Sequence, residues 1–134
     1  MHVLAVGDKK LVCLDPKSGQ VLWEYLHEGG GERGSVCLVP VALGWNRFFL
    51  KHQEDRSRLL EVAEGDGSIV FSSLWEDRSI AKTFTVPVYH DGYLYGYNGR
   101  TLTCVDAKTG RAAWRSREPG DGFLILVDGH VWAR

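Results

Sequence analysis

Residues 11–23, LVCLDPKSGQVLW, and residues 102–114, LTCVDAKTGRAAW, are two versions of one segment. Asp15, Gly19 and Trp23 recur as Asp106, Gly110 and Trp114, each 91 positions later. Three chemically unlike residues that share one offset mark an internal repeat, and a repeat restricts architecture more tightly than composition does. A degenerate copy lies between them. Residues 59–71 read LLEVAEGDGSIVF, with Gly67 in the place of the glycines and Phe71 in the place of the indoles. The unit is therefore about 45 residues long, a period that suits four-stranded units arranged radially better than short solenoid repeats. A second register agrees: Val39-Pro40-Val41 recurs as Val86-Pro87-Val88, each followed by a glycine, Gly44 or Gly92.

Each unit reads as short strands. Tyr93-Leu94-Tyr95-Gly96-Tyr97 alternates with a period of two, and its aromatic residues suit a pleated surface. Asp91-Gly92 and Asn98-Gly99 are the dipeptides that favour type I′ hairpin turns. No window carries an amphipathic helix. The spacing predicts thirteen strands: three in 2–26, four in 36–74, four in 83–117 and two in 122–134.

The recurrent turn has its own chemistry. Asp15 and Asp106 can accept hydrogen bonds from amides two or three residues on, and Ser18 and Thr109 can add a hydroxyl bond. Gly19 and Gly110 supply the left-handed backbone that reverses the chain. Trp23 and Trp114 then fall in the outgoing strand, where a large ring can wedge between neighbouring sheets. The middle copy has Ala63 and Phe71 instead of Asp and Trp, so its turn and wedge are expected to be looser.

This pattern resembles the tryptophan-docking motif of the pyrroloquinoline-quinone repeat, roughly A-x-D-x-x-T-G-x-x-x-W, found in quinoprotein-like eight-bladed β-propellers. Cys13 and Cys104 stand where that family usually has Ala. The match is strong in 102–114, good in 11–23 and poor in 61–71. The fold expected is all-β: one partial β-propeller domain over 1–134, with about three four-stranded antiparallel blades in an incomplete ring. The blade pieces are 1–27, 35–75, 82–117 and 121–134. The expectation is a piece of a longer propeller, and the alternative is a short chain that completes its ring with a second copy. Unpaired edges at both ends of a short chain would invite aggregation, which favours the longer propeller, and self-association through open blade edges is the expectation kept beside it.

The family resemblance implies further properties. Its bacterial members include periplasmic quinone-dependent alcohol dehydrogenases and a non-enzymatic propeller lipoprotein of outer-membrane assembly, so it implies a periplasmic or exported setting. The dehydrogenases hold their quinone on the ring axis with a calcium ion, an acidic base and, in many members, a disulfide between adjacent cysteines. This chain has no adjacent cysteines, so quinone and calcium are expected only if further blades carry the site.

Formal net charge is −1 with both signs interspersed, which argues against a nucleic-acid or anionic-membrane surface. No apolar run reaches the roughly 18 residues of a transmembrane helix. Residues 1–10 lack the regions of a signal peptide and read as a strand pair. Cys13, Cys37 and Cys104 have no CxxC spacing and read as small buried side chains.

Ligands of propellers usually bind at a rim, where connections between blades gather. The segments at 28–34, 75–82 and 118–122 are the expected connections. Arg33, Trp75, Glu76, Asp77, Arg78 and Asp121 are therefore the candidate rim contacts, against the plainer reading of solvated loops. Gly29–Gly34 (GGGERG) is not a phosphate loop, because no helix and no Lys-Ser/Thr pair follows. His2, His27, His52, His90 and His130 show no ligand spacing. Tyr89, Tyr93, Tyr95 and Tyr97 read as sheet packing. No carboxylate pair suits acid–base work. The sequence favours a non-catalytic scaffold that binds a protein partner. The alternatives are part of a quinone-dependent dehydrogenase, or an accessory or sensor domain of a larger protein.

Overall fold

The computed structural model describes residues 1–7, 9–27, 39–51 and 56–134. Arg33, Cys37, His52, the GGGERG segment and the first residues of the expected second blade piece lie outside the described residues. Among the described residues, thirteen strands form four antiparallel sheets. The first sheet holds β1 (Val3–Val6), β2 (Lys10–Leu14) and β3 (Val21–Leu26). The second holds β4 (Val39–Ala42), β5 (Arg47–Lys51), β6 (Ser57–Gly65) and β7 (Ser68–Asp77). The third holds β8 (Val88–His90), β9 (Tyr93–Asn98), β10 (Thr101–Asp106) and β11 (Ala112–Ser116). The fourth is the hairpin β12 (Leu124–Val127) and β13 (His130–Ala133). Each sheet is a meander in chain order, so the architecture is an open, incomplete propeller.

Strands buried on both faces join the sheets. In β5, Phe48 and Leu50 pack toward the first sheet with Leu11 and Leu60, and Phe49 packs toward the third with Leu59, Leu94 and Val105. Tyr97, Leu102 and Leu124 join the third sheet to the fourth. Three apolar clusters thus alternate with the sheets, and each buried Leu or Phe contributes roughly 1.5–3 kcal/mol. The crossover after β7 is tied down by Ser57 Oγ, which donates to the Ile80 carbonyl at 2.7 Å, and by Lys51 Nζ, which donates to the Thr83 carbonyl.

Hairpin chemistry follows the glycines, with one difference. Asp91 and Gly92 both have positive φ (46° and 84°), as a type I′ turn requires. At the next turn Asn98 is still paired with Thr101, and Gly99 (φ 57°) opens the bend. Asn98 is absent from the positive-φ set, so this turn follows the II′ arrangement instead.

A register shift marks the same position in each complete outer hairpin. It falls between Cys13 and Leu14, between Leu59 and Leu60, and between Cys104 and Val105. Opposite those bulges stand Trp23, Trp75 and Trp114. The indole of the middle unit is therefore Trp75, and Phe71 is not its counterpart. Trp75, Glu76 and Asp77 continue β7 rather than opening a connection. Gly67 belongs with Asp66 to the tip of a longer hairpin, paired from Leu59 through Gly65 with Trp75 through Ser68.

Candidate functional site

The repeated turn closes as its residues dictate. Asp15 Oδ1 accepts from the Lys17 amide (2.9 Å), Asp15 Oδ2 accepts from the Ser18 hydroxyl (2.9 Å), and Gly19 N–H donates to the Asp15 carbonyl (2.8 Å). Asp106 repeats this with Lys108 N–H (2.8 Å) and Gly110 N–H (2.8 Å). Trp75 of the second sheet docks onto this turn of the third. Its Nε1–H donates to the Ala107 carbonyl at 2.9 Å, and its ring covers Gly110. A Cβ on Gly110 would lie 2.5 Å from Trp75 Cδ2.

Trp23 has no such seat. Leu59 and Trp75 are sixteen positions apart, against ten for Cys13–Trp23 and Cys104–Trp114, so the second sheet carries a longer hairpin where the turn would be. Trp23 instead stacks on Phe48 (centroids 5.7 Å apart) and meets Phe71 edge-on (5.4 Å). Trp114 lies against Tyr95 at 6.2 Å and is 45% exposed, because the fourth sheet has two strands and does not reach it.

A cleft of about 860 Å³ opens between the first and second sheets. Leu4, Leu22, Trp23, Phe48, Val62 and Ile69 supply its apolar wall, and Arg47 and Glu64 flank them. Trp45 also lines it and is 91% exposed. Its turn is held by the Leu43 amide, which donates to the Arg47 carbonyl at 2.8 Å. Arg47 Nε in turn pairs with Glu61 Oε2 at 2.7 Å. Cys13 lines the same cleft, but burial pushes its thiol up, which disfavours a reactive thiolate.

The candidate rim residues do not converge. Trp75 is committed to docking. Glu76 Oε1 pairs with Arg58 Nε at 3.1 Å across the β6–β7 ladder. Asp77 Oδ1 accepts from the Ser79 amide at 2.5 Å. The Arg78 carbonyl accepts from Asn98 Nδ2 at 3.0 Å. Asp121 sits near Arg100 at 3.5 Å, both largely exposed. In such meanders, the first and third turns share one rim, and the second turn and the crossovers share the other. The cleft with Trp45 is on the former rim and Arg78 and Asp121 are on the latter. An indole at a hairpin tip, Gly44-Trp45-Asn46, is the sequence signal that points to it.

A family model described as outer membrane protein assembly factor BamB matches residues 2–116. The chain belongs to this family. No curated protein matches it. Among solved structures it is similar to the crystal structure of BamB from Moraxella catarrhalis, at 15% identity and a TM-score of 0.43. That alignment covers 99% of this chain and 51% of that one, so the chain spans about half the length of that BamB.

Among the described residues no three His, Cys, Asp or Glu side chains are grouped to hold a metal ion. No helix among the described residues is long and apolar enough to cross a membrane.

Proposed function

We propose that this chain serves as a non-catalytic docking scaffold, and that the cleft beside Trp45 receives an apolar side chain of a partner polypeptide. The observation that carries this reading is a 91% exposed indole lining an apolar cleft of about 860 Å³. Tryptophan is enriched among the residues that dominate binding energy, and exposed apolar surface beside a concave site marks contact with a ligand or a protein. The family description, an assembly factor of the outer membrane, supports a protein partner and an exported setting.

The test is selection of twelve-residue peptides from a random display library. Enriched peptides should share an aliphatic or aromatic anchor. Trp45→Ala should weaken their binding about 30-fold, the equivalent of roughly 2 kcal/mol for a dominant contact, without shifting the melting temperature. Arg78→Ala and Asp121→Ala, on the other rim, should leave affinity unchanged. Peptides that bind Trp45→Ala as tightly as the parent chain would refute the assignment.

A further inference from the structure

The outer strand β7 differs from its counterparts in the neighbouring sheets. It runs for ten residues, Ser68–Asp77, against six in β3 and five in β11. It belongs to the second sheet, which packs between the first and the third. Among the described residues its only strand neighbour is β6. The other edge of its backbone therefore carries amides and carbonyls with no backbone partner among those residues. Such a row is a template for another extended chain.

Proteins blunt edges of this kind with charge, proline or a bulge. β3 carries Glu24 and β11 carries Arg115. In each of them one residue pair lies between the bulge and the turn, Leu14 with Val21 and Val105 with Ala112. In β7 six consecutive pairs run without a shift, from Leu60 with Ser73 to Gly65 with Ser68. Residues 68–73 read SIVFSS and hold no charge, proline or glycine. Their side chains alternate. Val70 is 48% exposed, Ser68 and Ser72 are exposed with it, and Ile69 and Phe71 are half-buried on the opposite face. The flat edge is thus the stretch that the lengthened hairpin adds.

That edge adjoins the cleft. Ile69 lines the cleft, and so do Val62, Ala63 and Glu64 on the facing strand. Trp45, in the turn between β4 and β5, is two to three strand spacings from β7, roughly 10–15 Å across the sheet. A twelve-residue extended segment reaches about 40 Å, so one segment spans both.

We propose that the partner polypeptide binds as an added strand. An extended, uncharged run pairs its backbone with the outer edge of Ser68–Ser73 and sets β-branched or aromatic side chains beside Val70, while an adjoining apolar side chain enters the cleft. Backbone pairing supplies affinity and the alternate side chains supply selectivity. This mode rests on the docking assignment for its partner and adds how that partner is held.

The experiment takes the twelve-residue peptides enriched on the parent chain and resynthesises each with a single backbone N-methyl group moved along its sequence. An added strand turns every second amide toward β7, so alternate positions should lose about tenfold in affinity and the positions between them should keep it. The double variant Val70→Lys with Ser72→Lys changes two exposed side chains and should weaken the same peptides about tenfold at an unchanged melting temperature, because charge blunts an edge. A flat N-methyl profile among peptides that still require Trp45 would overturn strand addition and leave the docking assignment standing, as would peptides that bind the lysine variant as tightly as the parent. An alternating profile among peptides indifferent to Trp45→Ala would do the reverse. A library that yields no binder would overturn both.

Discussion

Gly110→Ala and Gly19→Ala are the same substitution in the same turn, with one difference in what lies above. Both glycines have a left-handed backbone, φ 74° and 71°. Placing an L-residue there costs about 1–2 kcal/mol. At Gly19 nothing lies within 4 Å of the added Cβ, so the cost stops there. At Gly110 the Cβ would lie 2.5, 2.7 and 2.9 Å from three atoms of the Trp75 indole. The ring is packed against Phe49 at 5.7 Å and cannot slide freely. Overpacking of this kind costs about 1–3 kcal/mol, and displacing the indole loses its bond to the Ala107 carbonyl, about 0.5–1.5 kcal/mol more. Gly110→Ala should therefore destabilise by about 2.5–6.5 kcal/mol and Gly19→Ala by about 1–2 kcal/mol. Urea unfolding followed by circular dichroism measures both. In a Trp75→Ala background the cost of Gly110→Ala should fall to that of Gly19→Ala, because the obstructing ring is gone. Equal losses for the two glycines in the parent chain would refute the docking argument.

Other outcomes follow from single side chains. The Lys17 amide and the Ser18 hydroxyl, in that order, hold the Asp15 carboxyl below its ordinary value. A depressed folded pKa gives stability that is present above the unfolded value of about 3.8 and lost as pH falls through the folded one. Asp15→Asn should thus flatten the fall of stability below about pH 4, as read from denaturation midpoints across an acid series. Burial raises the thiols of Cys13 and Cys104, so a thiol reagent at pH 8 should modify them at the rate of unfolding; mass-mapped labelling at the native state's full thiol rate would contradict this. Thr103 is fully buried, and its hydroxyl has no hydrogen-bond partner among the described residues. Thr103→Val should be neutral or stabilise by up to about 1–2 kcal/mol, and a loss of stability in calorimetry would show that the hydroxyl is satisfied.

The strands and their grouping were legible because alternation and Asp-Gly dipeptides act locally. The docking turn was legible for the same reason: Asp15 and Ser18, like Asp106 and Thr109, bond within their own few residues. The partner of each indole was not legible. Aligning the middle copy on Gly67 set Phe71 at the wedge, yet the register is counted from the bulge at Leu59, and from there Trp75 is the equivalent residue. A bulge is a property of two strands and leaves no residue signature of its own. Trp45 was missed on similar grounds. Its place beside the cleft depends on how the first and second sheets pack, and no window around residue 45 records that packing.

The cleft and the irregular copy coincide. The third sheet ends its outer hairpin at Asp106–Gly110 and seats Trp75 there. The second sheet runs on to Asp66–Gly67, Phe71 takes over the contact with Trp23, and the extension contributes Val62, Ala63, Glu64 and Ile69 to the cleft wall. The proposed docking cleft thus lies where the repeat departs from its own rule, and departures from local consistency are where function is expected. Replacing residues 59–75 with the sequence of residues 104–114 tests this directly. The chimera should regain a glycine seat for Trp23, with its Nε1–H donating to a turn carbonyl, and should be at least as stable as the parent. It should lose the selected peptides even though Trp45 is untouched. A folded chimera that still bound them would show that the exposed indole alone suffices and that the lengthened hairpin serves some other end.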